Sequence, residues 1–520
     1  MASSGAGSKR AIAFVGFMGA GKTTAARAVA RALGEEPVDT DELIAGEVGG
    51  SIAGLFANEG EARFREIEER VSLEALERGG VVALGGGAVE SERVRAALAE
   101  HVTVWAQVEE PVAWERAGGT DRPLARNRDG FQRRFRARLP LYEEVARVLL
   151  PGGGEAVGSA VALWLRLLTT APGVRMAWAR TSSGSYPVLV GPRASRLLDG
   201  KAAPGRGRLF AIADRAALAA TRGLLPRIDW NDPLEIDGGE PTKTLATAER
   251  LLEELARAGV RRDDALVAFG GGVVGDLAGF CAAVYQRGIP VVQVPTTLVA
   301  QVDSAIGGKT GVDLPEAKNY VGAYHQPAAV LADPAALRTL PEAELAAGFA
   351  EVVKTALIAG GGLWERVRGI ERLEAEALAP LVFDCARTKV DIVAADERDS
   401  GGRAVLNLGH TVGHAIEAAA GYGRYRHGEA VALGLLAALR LSEADGLRQE
   451  VGELLGRVGL PRQLAADVDV ESVIAATGRD KKRTAAGVGF VLLSEPGAAV
   501  YGRPVDADSL RAAVAELMSE

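Results

Sequence analysis

The sequence predicts an α/β protein made of two parallel-sheet assemblies in tandem, the second followed by a mainly helical domain. Three observations predict it. Short apolar runs alternate with helical patterns over most of the chain, which is the signature of parallel strands covered by helices. Two of these runs end in glycine-rich turns that open a helix, at Gly16–Thr24 and at Gly270–Asp276. Beyond about Leu337 the strand signals thin out and amphipathic helices dominate, apart from a strand-like stretch at Gly489–Leu493.

The elements follow in order. Ala11–Val15 reads as a buried strand that stops at Gly16, and a helical pattern runs from Lys22 to Leu33. Val81–Leu84 is a second buried strand, ending in Gly85-Gly86-Gly87, and Val102–Val108 is a third, before a helix that starts at Pro111. The stretches PGGGEAVGSA from Pro151 and APG near Pro172 read as breaks with a short helix, Val161–Leu168, between them. This places a phosphate-loop domain at 1–165 and a linker at 166–178. New strands at Val188–Val190, Leu209–Ala213, Leu266–Phe269 and Val291–Val294 place an α/β domain at 179–336, leaving a helical domain at 337–520.

Bulk properties narrow the function classes. A chain of 520 residues exceeds one hydrophobic core. With 48% hydrophobic and 25% charged residues it has the composition of a folded soluble protein. A net charge of −8 argues against general nucleic-acid binding. Cys281 and Cys385 are the only cysteines, too few for a disulfide framework and suited to a reducing cytosol. The polar MASSGAGSKR start is no signal peptide, and the longest uncharged apolar stretch, Ala430–Leu439, is too short to span a bilayer. The expectation is a cytoplasmic enzyme with small-molecule partners and no membrane or nucleic-acid partner.

Gly16-x4-Gly21-Lys22-Thr23 fits the phosphate-loop pattern. Glycines let backbone N–H groups approach the phosphates, Lys22 reaches the terminal ones, and the Thr23 hydroxyl serves Mg²⁺. Gly16, Gly19, Ala20, Gly21, Lys22, Thr23 and Thr24 form the expected ATP cradle. Downstream, Asp39 and Asp41 lie two apart on an extended segment. One suits Mg²⁺ and the other a substrate hydroxyl; a helix cap at Asp41 is the alternative. Arg122 sits in a polar loop that suits a lid over ATP.

GFMGAGKTT, DTD, SIAGLFANEGEARFREIE, LGGGAV, DRPL and RLPLY together resemble shikimate kinase across roughly residues 9–150. The resemblance implies that Asp41, Arg65 and Arg138, with Gly85, Gly86 and Gly87, hold shikimate. It also implies that Asp39 and Thr23 serve Mg²⁺ and that Arg122 is the lid arginine.

In the second half, Gly270–Asp276 reads either as a pyrophosphate turn or as a tight structural turn. The polar, Gly- and Lys-rich stretch with Asp303, Lys309, Lys318 and Asn319 reads as a loop that meets an anion. His410 and His414 share a helix face, as do Glu351 and Lys354. His427 precedes an apolar helix, and three of the five histidines thus fall together. Glu351, His410 and His427 suit a divalent ion with open positions. His414 is either a fourth ligand or a group that handles protons and phosphate.

GGGVVGDLAGFCAAVYQRGI, QVPTTLVAQVDSAIGGKTGV, GFAEVVK, LNLGHTVGHAIE, HGEAVA and DKK resemble 3-dehydroquinate synthase over roughly 180–510. The resemblance implies a Rossmann-like NAD-binding domain and a helical metal-binding domain with the active site in the cleft between them. It assigns Zn²⁺ or Co²⁺ to Glu351, His410 and His427. NAD⁺ goes to Gly238, Gly239, Glu240, Lys243, Gly272, Val273, Val274, Gly275, Asp276, Thr296 and Thr297, with Lys309 and Lys318. Substrate goes to Arg287, Asp303, Asn319, Arg403, Asn407, Lys481 and Lys482, and Lys354, Lys389 and His414 take catalytic roles. The substrates implied for the two halves are shikimate and 3-deoxy-D-arabino-heptulosonate 7-phosphate, and a homodimer through the synthase half is implied. Rival readings are a sugar-phosphate cyclase with a different substrate, a metal-dependent alcohol dehydrogenase, and a nucleotide-sensing N-terminal module without transfer activity.

Overall fold

The computed structural model describes residues 10–118, 124, 127–152, 155–198, 207–222, 232–315, 317–421, 423–478 and 489–518. Arg122, Lys481 and Lys482 lie outside the described residues. The chain forms two compact units, Met1–Trp178 and Ala179–Glu520.

The first unit runs β1 (Ile12–Val15), α1 (Lys22–Leu33), β2 (Pro37–Asp39), α2 (Thr40–Glu47), α3 (Ile52–Arg78), β3 (Val81–Ala83), α4 (Glu92–Leu98), β4 (Val102–Ala106), α5 (Glu110–Ala117), α6 (Arg128–Val145), β5 (Val148–Leu150), α7 (Glu155–Leu168) and β6 (Arg175–Arg180). Within residues 166–178, α7 therefore ends and β6 begins. The strands lie parallel in the order β2-β3-β1-β4-β5-β6. β1 and β4 are neighbours whose following helices lead to opposite sides of the sheet. The crevice at their carboxyl ends is the switch point where such sheets bind ligands. The strands read as apolar runs because helices cover both faces. Phe17, Phe131 and Phe135 anchor the core under the crevice, with edge-to-face rings at 5.0 Å from Phe17.

The second unit opens with β7 (Ser185–Val190), β8 (Leu209–Asp214), α8 (Arg215–Ala220), β9 (Leu234–Ile236), α9 (Leu245–Arg257), β10 (Ala265–Gly270), α10 (Gly272–Val284) and β11 (Val291–Pro295). Next come β12 (Lys309–Leu314), β13 (Ala317–Tyr324) and β14 (Ala329–Ala332). The parallel order is β7-β14-β11-β10-β8-β9, which puts the switch point between β8 and β10. The Gly- and Lys-rich stretch expected as a loop enters a π-helical turn at Asp303 and, from Lys309 onward, the antiparallel hairpin β12–β13. Gly311 and Val312 are buried within it.

The helical part holds α11 (Glu342–Ala359), α12 (Gly361–Arg368), α13 (Ala375–Ala395), α14 (His410–Ala419), α15 (His427–Leu441), α16 (Asp445–Arg457), α17 (Val470–Thr477) and α18 (Ala507–Glu516), with the hairpin β15 (Gly489–Leu493) and β16 (Ala499–Pro504). Missing side chains bring these helices close. A Cβ on Gly428 would lie 1.8 Å from the Ala347 carbonyl oxygen, and one on Gly434 2.0 Å from that of Gly409. α15 thus crosses both α11 and α14 at backbone contact. No helix among the described residues is long and apolar enough to cross a membrane.

Candidate active sites

In the first unit β1 delivers the chain into the Gly16–Gly21 turn, and α1 begins at Lys22 without a capping side chain. Its first N–H groups are therefore available to an anion. Only glycine allows the turn: a Cβ on Gly16 would sit 2.5 Å from the Ala106 carbonyl oxygen, and Gly21 has φ of 83°. Lys22 Nζ donates to the Phe17 carbonyl at 3.3 Å, so the lysine folds back along the loop. Thr23 Oγ1 donates to Asp39 Oδ2 at 2.7 Å, which puts hydroxyl and carboxylate side by side as a divalent cation requires. Ala20 is buried and Thr24 exposed on either side of this pair.

The capping carboxylate weighed at Asp41 is Asp39, whose Oδ1 accepts the Asp41 N–H at 2.9 Å. Asp41 faces the triple-glycine turn, with Oδ1 3.0 Å from the place of a Gly85 Cβ. That turn is pinned from two sides: Gly85 N–H donates to Thr40 Oγ1 at 2.9 Å, and Tyr142 O–H donates to the Gly86 carbonyl at 2.6 Å. A Cβ on Gly87 would lie 1.8 Å from Arg65 Nη1, so the guanidinium lies against bare backbone.

Arg65 pairs with Glu68, with Glu61 at 3.0 Å and with Glu90 at 3.2 Å. Burial raises the Glu68 carboxyl, opposed by Arg65. Arg138 is 2% exposed and bonds Glu90 Oε1 through Nε at 2.9 Å. Its Nη2 is buried with no hydrogen-bond partner among the described residues. A buried guanidinium nitrogen without an acceptor is costly, and an anionic ligand oxygen would satisfy it. Sequence reasoning missed Glu68, Glu90 and Tyr142. The Glu68 signal was available, since Arg65 and Glu68 stand three apart on α3.

In the second unit the crevice between β8 and β10 is lined by glycine turns. α10 starts after Gly271 with no side-chain cap, so Gly272, Val273, Val274, Gly275 and Asp276 form an open first turn. Thr296 and Thr297 follow β11, and the Thr297 methyl lies 3.0 Å from the place of a Gly271 Cβ. Gly238, Gly239 and Glu240 lead into Lys243, which is buried and bonds Asp276 at 2.6 Å and Asn319 at 2.5 Å. Burial raises the Asp276 carboxyl against the pull of Lys243. This lysine ties the β9–α9 turn to α10 and to β13. Asp214 was missed: it ends β8, caps α8, and its Oδ2 is 2.3 Å from the place of a Gly238 Cβ. An acid at the end of a strand beside a glycine turn was its signal.

Facing this crevice, α11 supplies Glu351 and Lys354, both 1% exposed. His410 Nε2 and His427 Nε2 approach Glu351 Oε1 at 3.4 and 3.3 Å. One nitrogen of each of His410, His414 and His427 falls within a 4.8 Å span. His410 Nδ1 lies 3.2 Å from the Leu408 carbonyl, so that nitrogen carries the proton and Nε2 offers a lone pair. One carboxylate with imidazole nitrogens gathered around it is a donor set that fits a divalent ion. Glu417, also missed, is 3.4 Å from His427 Nδ1 and 3.1 Å from Lys318 Nζ. His410, His414 and Glu417 stand at i, i+4 and i+7 on α14, and that spacing was its signal.

Beside the cradle, the π-helical turn Ala300–Ser304 projects Asp303 between two lysines. Lys354 Nζ is 3.0 Å from its Oδ2, and Lys389 Nζ bonds both its backbone carbonyl, at 2.7 Å, and its Oδ1. Burial alone would raise the Asp303 carboxyl, but the two ammonium groups outweigh it and hold it well below the usual range. Burial lowers the Lys389 ammonium to about 8, against the pull of Asp303.

Other expected residues are engaged by neighbours in the chain. Lys309 pairs with Asp399, and Arg403 spends its Nη atoms on the carbonyls of Glu397 at 2.7 Å and Gly307 at 3.1 Å. Asn407 Nδ2 donates to the Ala404 carbonyl at 2.9 Å. Arg287 is exposed at the far end of α10, about 20 Å along the helix from the Gly272 turn, so the structure does not bring it to this crevice.

A phosphate loop in one sheet crevice and a histidine–carboxylate cradle facing a dinucleotide-type turn in another define a two-site α/β enzyme. Residues 18–166 match the family model for shikimate kinase. Residues 233–347 and 348–483 match the models for the N-terminal and C-terminal parts of 3-dehydroquinate synthase. The 3-dehydroquinate synthase of Symbiobacterium thermophilum is 44% identical over 329 residues, 61% of this chain and 89% of that relative. Among solved structures, 2-deoxy-scyllo-inosose synthase complexed with carbaglucose-6-phosphate, NAD⁺ and Co²⁺ is similar with a TM-score of 0.58 and 26% identity, covering 66% of this chain and 99% of that one. The 2-epi-5-epi-valiolone synthase of Streptomyces hygroscopicus subsp. jinggangensis 5008, with NAD⁺ and Zn²⁺ bound, has a TM-score of 0.59 and 26% identity, covering 65% of this chain and 98% of that one. The chain belongs to the 3-dehydroquinate synthase family and carries a shikimate kinase segment ahead of it.

Proposed function

We propose that the chain is a bifunctional enzyme of aromatic precursor synthesis. The first unit transfers the γ-phosphoryl group of ATP to shikimate. The second converts 3-deoxy-D-arabino-heptulosonate 7-phosphate to 3-dehydroquinate with release of phosphate. The observation that carries the second assignment is the approach of two imidazole Nε2 atoms to one buried carboxylate oxygen beside a nucleotide-type crevice. Identity of 44% to a synthase of this name, against 26% to the two cyclases of other substrates, favours this substrate among related sugar phosphates.

In the kinase unit the open turn before α1 and Lys22 hold the phosphates, and Thr23 with Asp39 would hold Mg²⁺, which offsets phosphate charge. Asp41 orients the attacking hydroxyl. Arg65 and Arg138 grip the carboxylate, and Gly85–Gly87 floor the pocket at backbone distance. Arg122 is proposed as the lid arginine.

In the synthase unit the α10 turn, Thr296, Thr297, Glu240, Lys243, Lys309, Lys318 and Asp214 would hold NAD⁺. Glu351, His410 and His427 would hold Zn²⁺ or Co²⁺, and His414 stands next to them. When bound, these groups supply a reversible hydride acceptor and a Lewis acid. The chain does the rest by position and charge. Lys354 and Lys389 balance the carboxylates of Asp303 and Glu351, and Lys389 holds a proton at Nζ that it can release near neutral pH. Asn319, Arg403, Asn407, Lys481 and Lys482 are proposed to meet substrate oxygens, which fixes the substrate for elimination and ring closure. Arg287, exposed and remote, is proposed as a substrate contact only through assembly of the unit as a homodimer. The second unit is proposed to divide into the NAD domain 179–336 and the helical domain 337–520. Buried free Cys281 and Cys385 suit the reducing cytoplasm.

A paired assay tests the proposal. The purified chain should release phosphate from the heptulosonate phosphate with catalytic NAD⁺ and no net NADH, and should form ADP only when shikimate is present. Net NADH would turn the reading toward an alcohol dehydrogenase. ADP formation indifferent to shikimate would remove the kinase assignment.

A further inference from the structure

Glu90 stands where a bound carboxylate would be expected. It ends the single turn Ala88–Glu90 that follows the triple glycine, so the chain itself delivers it to the pocket rim. Its Oε1 accepts from Arg138 Nε at 2.9 Å, and its Oε2 lies 3.2 Å from Arg65 Nη2. One carboxylate thus bridges both guanidinium groups that the kinase reading gives to the substrate's carboxylate. Glu68 and Glu61 also bind Arg65, but neither is paired with Arg138. Arg138 still keeps one buried nitrogen without an acceptor, so the bridge is incomplete. Glu90 is 40% exposed, against 3% for the Glu68 side chain, so it can swing into water at little cost whereas Glu68 cannot.

From this geometry we propose that Glu90 is an internal competitor for the substrate carboxylate and must let go of Arg65 and Arg138 before shikimate is held. The role rests on the shikimate kinase reading of the first unit. Glu90 keeps the two arginines extended toward the pocket while it is empty, and it makes the substrate displace a like charge on entry. The displacement lowers the affinity for a carboxylate and leaves that for a neutral analogue unchanged.

Calorimetry without nucleotide, on the full chain, tests this with shikimate and with its neutral carboxamide. Glu90→Gln should tighten shikimate about three- to tenfold, the size of one or two half-exposed ion pairs, and leave the carboxamide unchanged. Glu90→Ala, which removes the competing oxygens, should act in the same direction. Thermal melts confirm that both variants fold. Shikimate binding that is weaker or equal in both variants overturns the proposal and makes Glu90 a brace for the arginines. A parallel gain for the carboxamide overturns it as well, because the effect would then not concern charge. A wild-type chain that neither binds shikimate nor forms ADP with it removes the kinase reading itself, and this role with it.

Discussion

His410 turns Nε2 toward Glu351 Oε1 at 3.4 Å while its Nδ1 faces the Leu408 carbonyl at 3.2 Å. The backbone contact fixes the tautomer, and the tautomer fixes which nitrogen can bind a cation. Chelation should therefore stop phosphate release from the heptulosonate phosphate, and Zn²⁺ or Co²⁺ should restore it. His410→Ala should copurify with less metal, measured by elemental analysis, and lose cyclisation. Full metal content with an intact rate would contradict the cradle.

Glu417 supports His427 from behind and is itself held by Lys318. Glu417→Gln keeps the shape and removes the charge. The expected loss is about 10- to 100-fold in metal affinity, read by competition with a chromogenic chelator. Unchanged affinity would make Glu417 a partner of Lys318 alone.

Lys389 should impose an alkaline limb on the synthase. Its ammonium is lowered to about 8 by burial, so it is charged below that pH and neutral above it. The rate should fall as pH rises through about 8, as Asp303 loses one of its two cations. Lys389→Arg should move the limb upward, because a guanidinium stays charged across the range. A limb that does not move would assign it to another group.

The two chemistries should separate by mutation. Lys22→Ala should lower shikimate-dependent ADP formation by about 100-fold or more and leave cyclisation at its wild-type rate. Loss of both in a folded protein would show that the sites are not independent.

Gly428 sets a crossing. A Cβ there would lie 1.8 Å from the Ala347 carbonyl, and backbone cannot step aside as a side chain can. Gly428→Ala should destabilise the second unit by about 3 kcal/mol and lower metal retention, since α15 carries His427. A melt and metal content equal to wild type would refute the crossing.

Much of this was legible in the sequence because glycine turns and histidine spacing are local signals. The α1 helix and the β15 strand fall on the residues expected for them, and the other central strands within a few residues. Elsewhere the deciding physics was not local. The β12–β13 hairpin was hidden because its glycines serve close strand contact and imitate a loop. Helix α7 starts at Glu155, inside a stretch whose glycines read as a break. Glu90 could not be singled out, since its importance comes from Arg138, 48 residues away. The hold of Arg403 on the carbonyls of Glu397 and Gly307 has no counterpart in its sequence neighbourhood.

The crossings at Gly428 and Gly434 also bear on how this catalyst can change over time. The distance between Glu351 and His427 is set by atoms that are missing, and nothing smaller than hydrogen can replace a hydrogen. Drift at these two positions has no gradual path: each step outward pushes the donors apart. New substrates for this scaffold must then be explored from the pocket walls, while the spacing of the cation's ligands stays frozen.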